Sequence, residues 1–436
     1  MNFIIETYGC QMNVADSELI TSILTTAGHT HTDDINNADI IIFNTCSIRE
    51  HAEERVIGRI SNEVSRKINN KNLLIGIVGC MAQRLGMELQ KINKKIDFVV
   101  GVDQYLKLPE VIQNLSESQF VIPNPELRID FNSEEIYNEI DPIRSDQLSA
   151  FITIMRGCNN YCSYCIVPYT RGRERSRPIN EILNELKQAV KEKKYEITLL
   201  GQNVNSYNFK NQDFSDLIKK ANEIDGLKRI RFITSHPKDL SDKLIETMAS
   251  NEKVCQHIHL PIQSGNDEIL QKMNRKYTSG HYRELVKKLR QAMPNIAITT
   301  DVIAGFPGET EEQFMDTFNM MNEVRFDFAF MFKYSERSGT KATDFQGSVP
   351  EEIRLERLQR LIDQQTGITT NVYKSKIGNT EEIYVESVSK RNKAEISGKT
   401  KDFKITVFEG DESMINKFVN VTIIDAVGWT LKGRVL

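Results

Sequence analysis

The sequence predicts a multidomain α/β chain: an N-terminal open α/β sheet domain, a partial barrel of six strand–helix units, and a small C-terminal β-barrel. Three observations carry this reading. Continuous β-branched runs at 3–6, 40–43, 73–78 and 98–100 have the pattern of buried parallel strands. The alternation of apolar runs and amphipathic stretches restarts at 151, with strands expected at 151–155, 196–200, 229–233, 255–260, 296–303 and 327–332. The last stretch has short apolar runs at 383–388, 403–408, 418–424 and 431–435 with no helical pattern between them. At 436 residues the chain has room for two or three such domains.

In the first domain, residues 1–117, helices are expected near 13–27, 49–69 and 82–92. Ser47 and Glu50 have capping-box spacing, so a helix is expected directly after Cys46. Residues 118–143 read as an acidic linker holding a short hairpin. Pro123, Pro125 and Pro142 interrupt this region, and eight acids stand against two bases over 116–150. The barrel spans 144–371. One of its helices, 179–193, places Ile182, Leu183, Leu186, Ala189 and Val190 on one face. The β-rich tail spans 374–436, and its turn region 390–404 holds six basic residues against two acids.

Overall charge is balanced, with 56 basic and 60 acidic residues, so net charge alone makes no case for nucleic acid. No run approaches a membrane span, and the N-terminus lacks a basic segment before its apolar residues; a cytoplasmic protein is expected. Seven cysteines, an odd number, argue against a disulfide framework.

Six of those cysteines form two trios. Cys158, Cys162 and Cys165 are packed into one run just after the first barrel strand, the end at which such barrels keep their chemistry. Structural zinc takes four ligands, and no further Cys or His lies within about ten residues. Three thiolates wrapping an iron–sulfur cluster with one open iron fit better than zinc or inert buried thiols. Successive strand ends deliver polar groups to the same rim: Gly201-Gln202-Asn203, Thr234-Ser235-His236, Gln263-Ser264-Gly265 and the turn around Gly305 and Gly308. Thr310 and Gln313 have capping-box spacing for the helix that follows.

The spacing Cys158-x3-Cys162-x2-Cys165, with Tyr164 before the last cysteine, resembles the radical S-adenosylmethionine signature. The resemblance implies a 4Fe-4S cluster whose open iron binds S-adenosylmethionine and whose electron releases a 5′-deoxyadenosyl radical. Tyr164, Gln202, Asn203, Ser235, Gln263, Ser264 and Gly305 are the residues it assigns to cofactor binding.

Cys10, Cys46 and Cys80 lie 36 and 34 residues apart, each at or just past the end of an expected parallel strand. Strand ends of an open α/β sheet converge on one edge. Three unrelated buried thiols are the alternative. The surrounding words, Gly9-Cys10-Gln-Met-Asn13-x-x-Asp16-Ser17-Glu18, Asn44-Thr45-Cys46-Ser47-Ile-Arg49-Glu50 and Gly79-Cys80-Met-Ala-Gln83, resemble the N-terminal domain of methylthiotransferases. The resemblance implies a second 4Fe-4S cluster that carries the sulfur to be transferred. Cys255 belongs to neither trio and is expected in the core.

Arg171, Arg173, Arg175 and Arg177 alternate after the cluster loop, and an extended chain would show them on one side. They are read as RNA contacts, with pairing to barrel carboxylates as the alternative. In the tail, Lys390, Arg391 and Lys399 are read as phosphate contacts, with a solvated edge as the alternative. The tail resembles a TRAM domain, an RNA-binding barrel, where Phe403 or Trp429 would stack on a base or serve as core.

Within the methylthiotransferase family, the words at 44–50, 166–174 and 200–207 resemble the branch acting on carbon 2 of N(6)-isopentenyladenosine next to the anticodon of tRNA. A sister enzyme acting on a ribosomal-protein aspartate or a threonylcarbamoyl adenosine is the near alternative, and a non-catalytic iron–sulfur RNA sensor the remote one. Glu336, Ser338 and Lys341 stand where the family often has proline. The implied reaction uses two molecules of S-adenosylmethionine, two clusters, a flipped-out base, an electron-donor protein and a sulfur source, with no side-chain acid–base pair. The tRNA anticodon stem-loop is the expected partner, and a monomer is expected.

Overall fold

The computed structural model describes all residues except 47–49, 69, 118–124 and 146–147. The Ser47–Glu50 capping box lies outside the described residues.

The first domain runs β1 (Asn2–Tyr8), α1 (Gln11–Thr26), β2 (Thr30–His31), β3 (Ile40–Thr45), α2 (Glu50–Ser65), β4 (Leu74–Gly79), α3 (Cys80–Leu85), α4 (Glu88–Ile92), β5 (Phe98–Val100), α5 (Leu108–Glu117) and β6 (Glu126–Arg128). Its sheet has the order β2-β1-β3-β4-β5-β6, parallel throughout. β3 and β4 are buried along their whole length, which is why they read as unbroken apolar runs. Separate apolar cores cover the two faces.

The acidic segment departs from the hairpin expectation. It adds β6 to the sheet, parallel to β5, and sends Tyr137 and Ile140 into the core beside α5. Tyr137 stacks on Tyr105 at 5.7 Å between ring centres. Apolar residues three apart along an acidic stretch tie it to the domain, while Asp130, Glu134, Glu139 and Asp141 are exposed.

The barrel runs β7 (Ser149–Thr153), β8 (Met155–Arg156), α6 (Val167–Arg171), β9 (Arg175–Ser176), α7 (Ile179–Lys191), β10 (Glu196–Leu200), the hairpin β11 (Asn208–Phe209) and β12 (Gln212–Asp213), α8 (Phe214–Asn222), β13 (Arg229–Ile233), α9 (Asp242–Ser250), β14 (His257–His259), α10 (Asp267–Lys272), α11 (Ser279–Ala292), β15 (Ala297–Ala304), α12 (Glu311–Val324), β16 (Phe328–Lys333) and α13 (Glu351–Lys374). Two parallel half-sheets, β7-β10-β13 and β14-β15-β16, form a six-stranded open barrel, joined by the parallel bridge Ile230–Val254. The expected capping box is present: Thr310 accepts from the Gln313 amide and Gln313 reaches back to the Thr310 amide. Cys255 is buried in the wall beside Arg231 and Glu196, as core.

The tail forms a closed barrel of β17 (Thr380–Val388), β18 (Glu395–Lys399), β19 (Ile405–Glu409), β20 (Phe418–Val427) and β21 (Thr430–Val435). The expected turn at 390–404 is therefore in part a strand. β18 alternates buried Ile396 and Gly398 with half-buried polar residues, a pattern too short and polar to stand out in sequence.

Buried ion pairs hold the domains together. Asp16 on α1 is fully buried and accepts from Arg156 and Arg171 of the barrel, both at 2.8 Å. Arg175 grips Asp103 with both terminal nitrogens at 2.9 Å. Arg229 and Arg231 donate to the carbonyls of Lys399, Thr400 and Lys401, which docks the tail on the barrel. Guanidinium forks suit such pairing because they are planar and carry several donors.

Candidate functional site

The tight trio sits in a loop closed by a short ribbon. β8 pairs antiparallel with β9, and the Cys158 amide donates to the Gly172 carbonyl at 3.1 Å. Gly157 takes φ +79°, and a Cβ there would fall 2.0 Å from the Arg173 carbonyl oxygen, so this closure requires glycine. The far side of the loop is pinned by the Ser163 amide to the Met273 carbonyl and by the Ser163 hydroxyl to the Lys272 carbonyl. Arg275, buried, donates to Cys162 Sγ at 3.4 Å and to the Pro261 carbonyl at 2.9 Å.

The spread trio is assembled from the ends of β1, β3 and β4. Asn13 and Asn44 lace these ends: Asn13 Nδ2 donates to Asn44 Oδ1 at 3.0 Å, and Asn44 Nδ2 donates to the Asn13 carbonyl at 2.8 Å. The Cys10 thiol donates to Asn13 Oδ1 at 3.4 Å. Gly79 takes φ +91°, ψ −157°, turning the chain so that Cys80 opens α3. Arg171, from the barrel, donates through Nε to Cys80 Sγ at 3.2 Å while Nη2 holds Asp16.

All six thiols line one cavity of about 1200 Å³ between the two domains. Among the described residues, no three Cys, His, Asp or Glu side chains converge at the spacing of ligands to a single ion. Thiolate sulfur is the donor that holds iron–sulfur clusters, and each trio supplies three such donors to the cavity. A hydrogen bond from Cys46 pulls the Cys10 thiol down to about 6, aided by Arg171 and opposed by burial. Burial pushes Cys158 up to about 11, and burial with the nearby Cys162 pushes Cys165 up to about 12. Cys80 is also raised by burial, with Arg171 opposing.

The rim residues divide. Tyr164, Gln202, Ser235 and Gln263 line the cavity. Gln202 Oε1, Ser235 Oγ and His236 Nε2 are buried there without a protein partner, as is Arg171 Nη1. Buried polar atoms are nearly always paired, so this wall fits a polar ligand. Tyr164 packs edge-on to Phe306 at 6.5 Å. Asn203, Ser264 and Gly305 stand behind the wall. Asn203 donates to Asp239 at 2.7 Å, and Ser264 bonds Thr317 at 3.2 Å. The Gly305 amide donates to Glu309 at 2.7 Å, and a Cβ on Gly305 would fall 2.3 Å from Arg354 Cγ. These three organise the loops and α13; strand-end position alone does not separate them from lining residues.

The four alternating arginines do not form an exposed row. Arg171 ends α6, Arg175 is drawn onto Asp103, and Arg177 donates to Glu185 at 2.7 Å. Only Arg173 of the four is exposed. Arg177 follows the alternative of pairing with a barrel carboxylate, whereas Arg171 and Arg175 pair with Asp16 and Asp103 of the first domain, because α6 and the β8–β9 ribbon break the extended run. In the tail, Lys390 and Arg391 are exposed, while Lys399 donates to Glu386 at 2.7 Å. Phe403 stacks on His257 at 5.1 Å, and Trp429 is half exposed on the cavity edge. Sequence reasoning gave no role to Arg275 or Asp16, and placed His236 on the rim only as part of a strand-end word. Asp16 stood within a quoted motif, but its partners lie 140 and 155 residues away.

The chain matches the Radical SAM superfamily over residues 152–321, Uncharacterized protein family UPF0004 over 2–101 and the TRAM domain over 374–436. Among solved structures it resembles the radical S-adenosylmethionine methyltransferase TsrM from Kitasatospora setae, with a TM-score of 0.58 and 13% identity over 76% of this chain and 72% of that one. It also resembles the cobalamin-dependent S-adenosylmethionine radical enzyme OxsB, with a TM-score of 0.58 and 12% identity over 84% of this chain and 56% of that one. These likenesses concern the fold. A relative from Thermoanaerobacter sp. (strain X514) named tRNA-2-methylthio-N(6)-dimethylallyladenosine synthase is 45% identical over 99% of this chain and 92% of its own length. Relatives of the same name from Clostridium botulinum (strain Langeland / NCTC 10281 / Type F) and Syntrophomonas wolfei are each 44% identical, covering 99% and 100% of this chain and 96% and 98% of their own. With three matched domains in order and this identity along its whole length, the chain belongs to the family of tRNA-2-methylthio-N(6)-dimethylallyladenosine synthases, radical S-adenosylmethionine enzymes.

Proposed function

We propose that this protein methylthiolates carbon 2 of N(6)-dimethylallyladenosine next to the anticodon of tRNA, using two 4Fe-4S clusters and two molecules of S-adenosylmethionine. The observation that carries the reading is the single cavity lined by both cysteine trios. When bound, these groups supply a 5′-deoxyadenosyl radical for hydrogen abstraction and a methylated sulfur for transfer.

The chain's own residues do the rest. Cys158, Cys162 and Cys165 hold one cluster, with Arg275 fixing Cys162. Cys10, Cys46 and Cys80 hold the other, with Arg171 fixing Cys80. Tyr164, Gln202, Ser235 and Gln263 orient S-adenosylmethionine on the wall between them. Cys46, Cys80 and Cys162 are buried at the inner end of the cavity, away from bulk water that would quench a reactive radical. The target base leaves its stack to reach carbon 2, as chemistry on a base requires. Exposed Arg173, Lys390 and Arg391 supply phosphate contacts outside the cavity.

An anaerobic assay with an anticodon stem-loop bearing N(6)-dimethylallyladenosine tests this. Both 5′-deoxyadenosine and the 2-methylthio nucleoside should appear by mass spectrometry. Formation of 5′-deoxyadenosine without the methylthio product on that RNA would overturn the substrate assignment.

A further inference from the structure

The loop of the tight trio has a second face, turned away from the cavity. Asn160, Cys162 and Tyr164 line the cavity, whereas Tyr161 does not and is 41% exposed. Tyr161 takes φ +47°, a left-handed backbone that disfavours a bulky side chain. Asn274 holds it there, donating through Nδ2 to the Tyr161 carbonyl at 2.9 Å and to the Asn160 carbonyl at 3.2 Å. Such strain persists where a site uses it. Tyr169 of α6 is 47% exposed and meets Tyr161 edge-on, with 6.1 Å between ring centres. The ground beside this pair is positive. Residues 157–173 and 271–278 contain no acid. The second stretch is bound to the loop through the Lys272 and Met273 carbonyls, which accept from Ser163. Lys272 and Lys276 are exposed and, among the described residues, neither is in an ion pair. The nearest acids, Glu174 and Glu268, are engaged by the Asn159 amide and by Gln313. The segment 336–344, which reaches Ser163 through the Ala342 amide at 2.7 Å, is balanced, with Arg337 and Lys341 against Glu336 and Asp344.

We propose that Tyr161 and Tyr169, with Lys272 and Lys276, form the docking surface for an acidic one-electron carrier protein that serves the tight trio. The inference rests on the radical chemistry of the family and not on the RNA substrate proposed above. Homolysis of the sulfonium carbon–sulfur bond of S-adenosylmethionine consumes one electron. The carrier is oxidised by that electron, and S-adenosylmethionine takes it up and parts into methionine and the 5′-deoxyadenosyl radical. Electron transfer falls off steeply with distance, so a protein carrier must approach the trio closely. The cavity takes the inner face of the loop, and the outer face is the side left to solvent. Exposed rings supply anchoring contact area, and lysines steer an acidic partner and exclude a basic one. The tail barrel docks at the other end of the strands, where Arg229 and Arg231 open β13 and His257 opens β14. RNA held by Lys390 and Arg391 of the tail and a carrier held at the loop therefore do not compete.

The test uses the full chain with both clusters reconstituted, S-adenosylmethionine and no RNA. Two reductants are compared: a reduced flavodoxin, which is an acidic flavin carrier, and dithionite, a small ion that needs no docking surface. The dissociation constant for flavodoxin and the rate of 5′-deoxyadenosine formation are both measured. Wild type should bind flavodoxin, more weakly as salt rises, and should cleave S-adenosylmethionine with either reductant. Lys272→Glu combined with Lys276→Glu should weaken flavodoxin binding about tenfold or more. Tyr161→Asn, a residue that tolerates the left-handed backbone, and Tyr169→Ala should each cut flavodoxin-driven cleavage about fivefold or more. All of these variants should keep the dithionite-driven rate. Equal loss with both reductants overturns the proposal, since it means a role in shaping the loop. Unchanged flavodoxin binding and rates in the variants overturn it too, as does a wild type that does not bind flavodoxin. Variants that keep flavodoxin affinity and lose affinity for the anticodon stem-loop give the surface to RNA instead, which also overturns it. The proposed function stands or falls separately, on whether dithionite and the dimethylallylated stem-loop yield the methylthio nucleoside.

Discussion

Cys158, Cys162 and Cys165 share one loop, and its shape is set by contacts within and directly beneath it: the Gly157 turn, the β8–β9 ribbon and the Ser163 anchors. Cys10, Cys46 and Cys80 come from three strand ends and meet only when the sheet of the first domain has formed, with Asn13 and Asn44 lacing the ends. The first site is local and the second is tertiary, yet each has one thiol held by a buried arginine from outside the trio. Arg275 serves Cys162, and Arg171, reaching across the domain boundary, serves Cys80. The difference teaches that three thiols can be gathered either by loop geometry or by sheet geometry. Only the second makes the site depend on how two domains dock.

The largest expected effect separates the trios by output. Cys158→Ala should abolish both 5′-deoxyadenosine and methylthio product, whereas Cys10→Ala should keep some 5′-deoxyadenosine and lose the methylthio product. Assaying both in one reaction checks this, and methylthiolation by Cys10→Ala would break the comparison.

The dependence on docking comes next. Asp16→Ala leaves Arg156 and Arg171 buried without their shared carboxylate, a change that costs about 3–5 kcal/mol when a buried pair is broken. Thermal unfolding should show the loss. Burial alone would raise the Asp16 carboxyl, but the two guanidiniums outweigh it and hold it below its ordinary value. A carboxyl depressed in the folded state contributes stability above its unfolded pKa, about 4, and loses that contribution as pH falls through the folded value. Wild type should therefore lose stability in acid more steeply than Asp16→Asn.

Glycine substitutions sharpen the local contrast. At Gly79 a Cβ would fall 2.6 Å from both Asn44 Oδ1 and the Thr45 carbonyl oxygen. The strained backbone alone costs about 1–3 kcal/mol in a non-glycine residue. Gly79→Ala should lower iron at the spread trio and leave the tight one loaded, and Gly157→Ala should do the reverse. Spectroscopy of the two clusters in each variant distinguishes them.

The smallest effect concerns the basic residues. Lys390→Ala and Arg391→Ala should each weaken RNA binding about uniformly across sequences and reduce the salt slope by about one unit. Arg175→Ala should lower the melting temperature, because its charge is spent on Asp103. A normal melting temperature for Arg175→Ala together with a reduced salt slope would return that residue to the RNA surface.

Much of the architecture was legible in sequence because it is written in short-range patterns. Buried parallel strands leave apolar runs, and all six barrel strands left them. The Thr310–Gln313 cap needed only two residues at the right spacing. β6 and β18 were harder to read, being short and mixed in polarity, so their pairing is decided by neighbours distant in sequence. Of the seven residues read as cofactor contacts, Tyr164, Gln202, Ser235 and Gln263 face the cavity, while Asn203, Ser264 and Gly305 stand behind it. Adjacent positions at a strand end point to different sides, and sequence gives the end without giving the side.

By itself, the sequence determined the three-domain order, the strand ends, the two cysteine trios and the local turns, since each depends on residue type and spacing within a few residues. Tertiary structure alone decided that both trios share one cavity, that Arg171 and Arg175 clamp domains instead of facing solvent, and that β16 and α13 enclose an apolar trough. The physical reason is the range of the interaction. Backbone propensity and hydrophobic periodicity act along the chain, whereas the partner of a buried charge and the shape of a cavity are fixed only when distant surfaces are brought into contact and water between them is displaced.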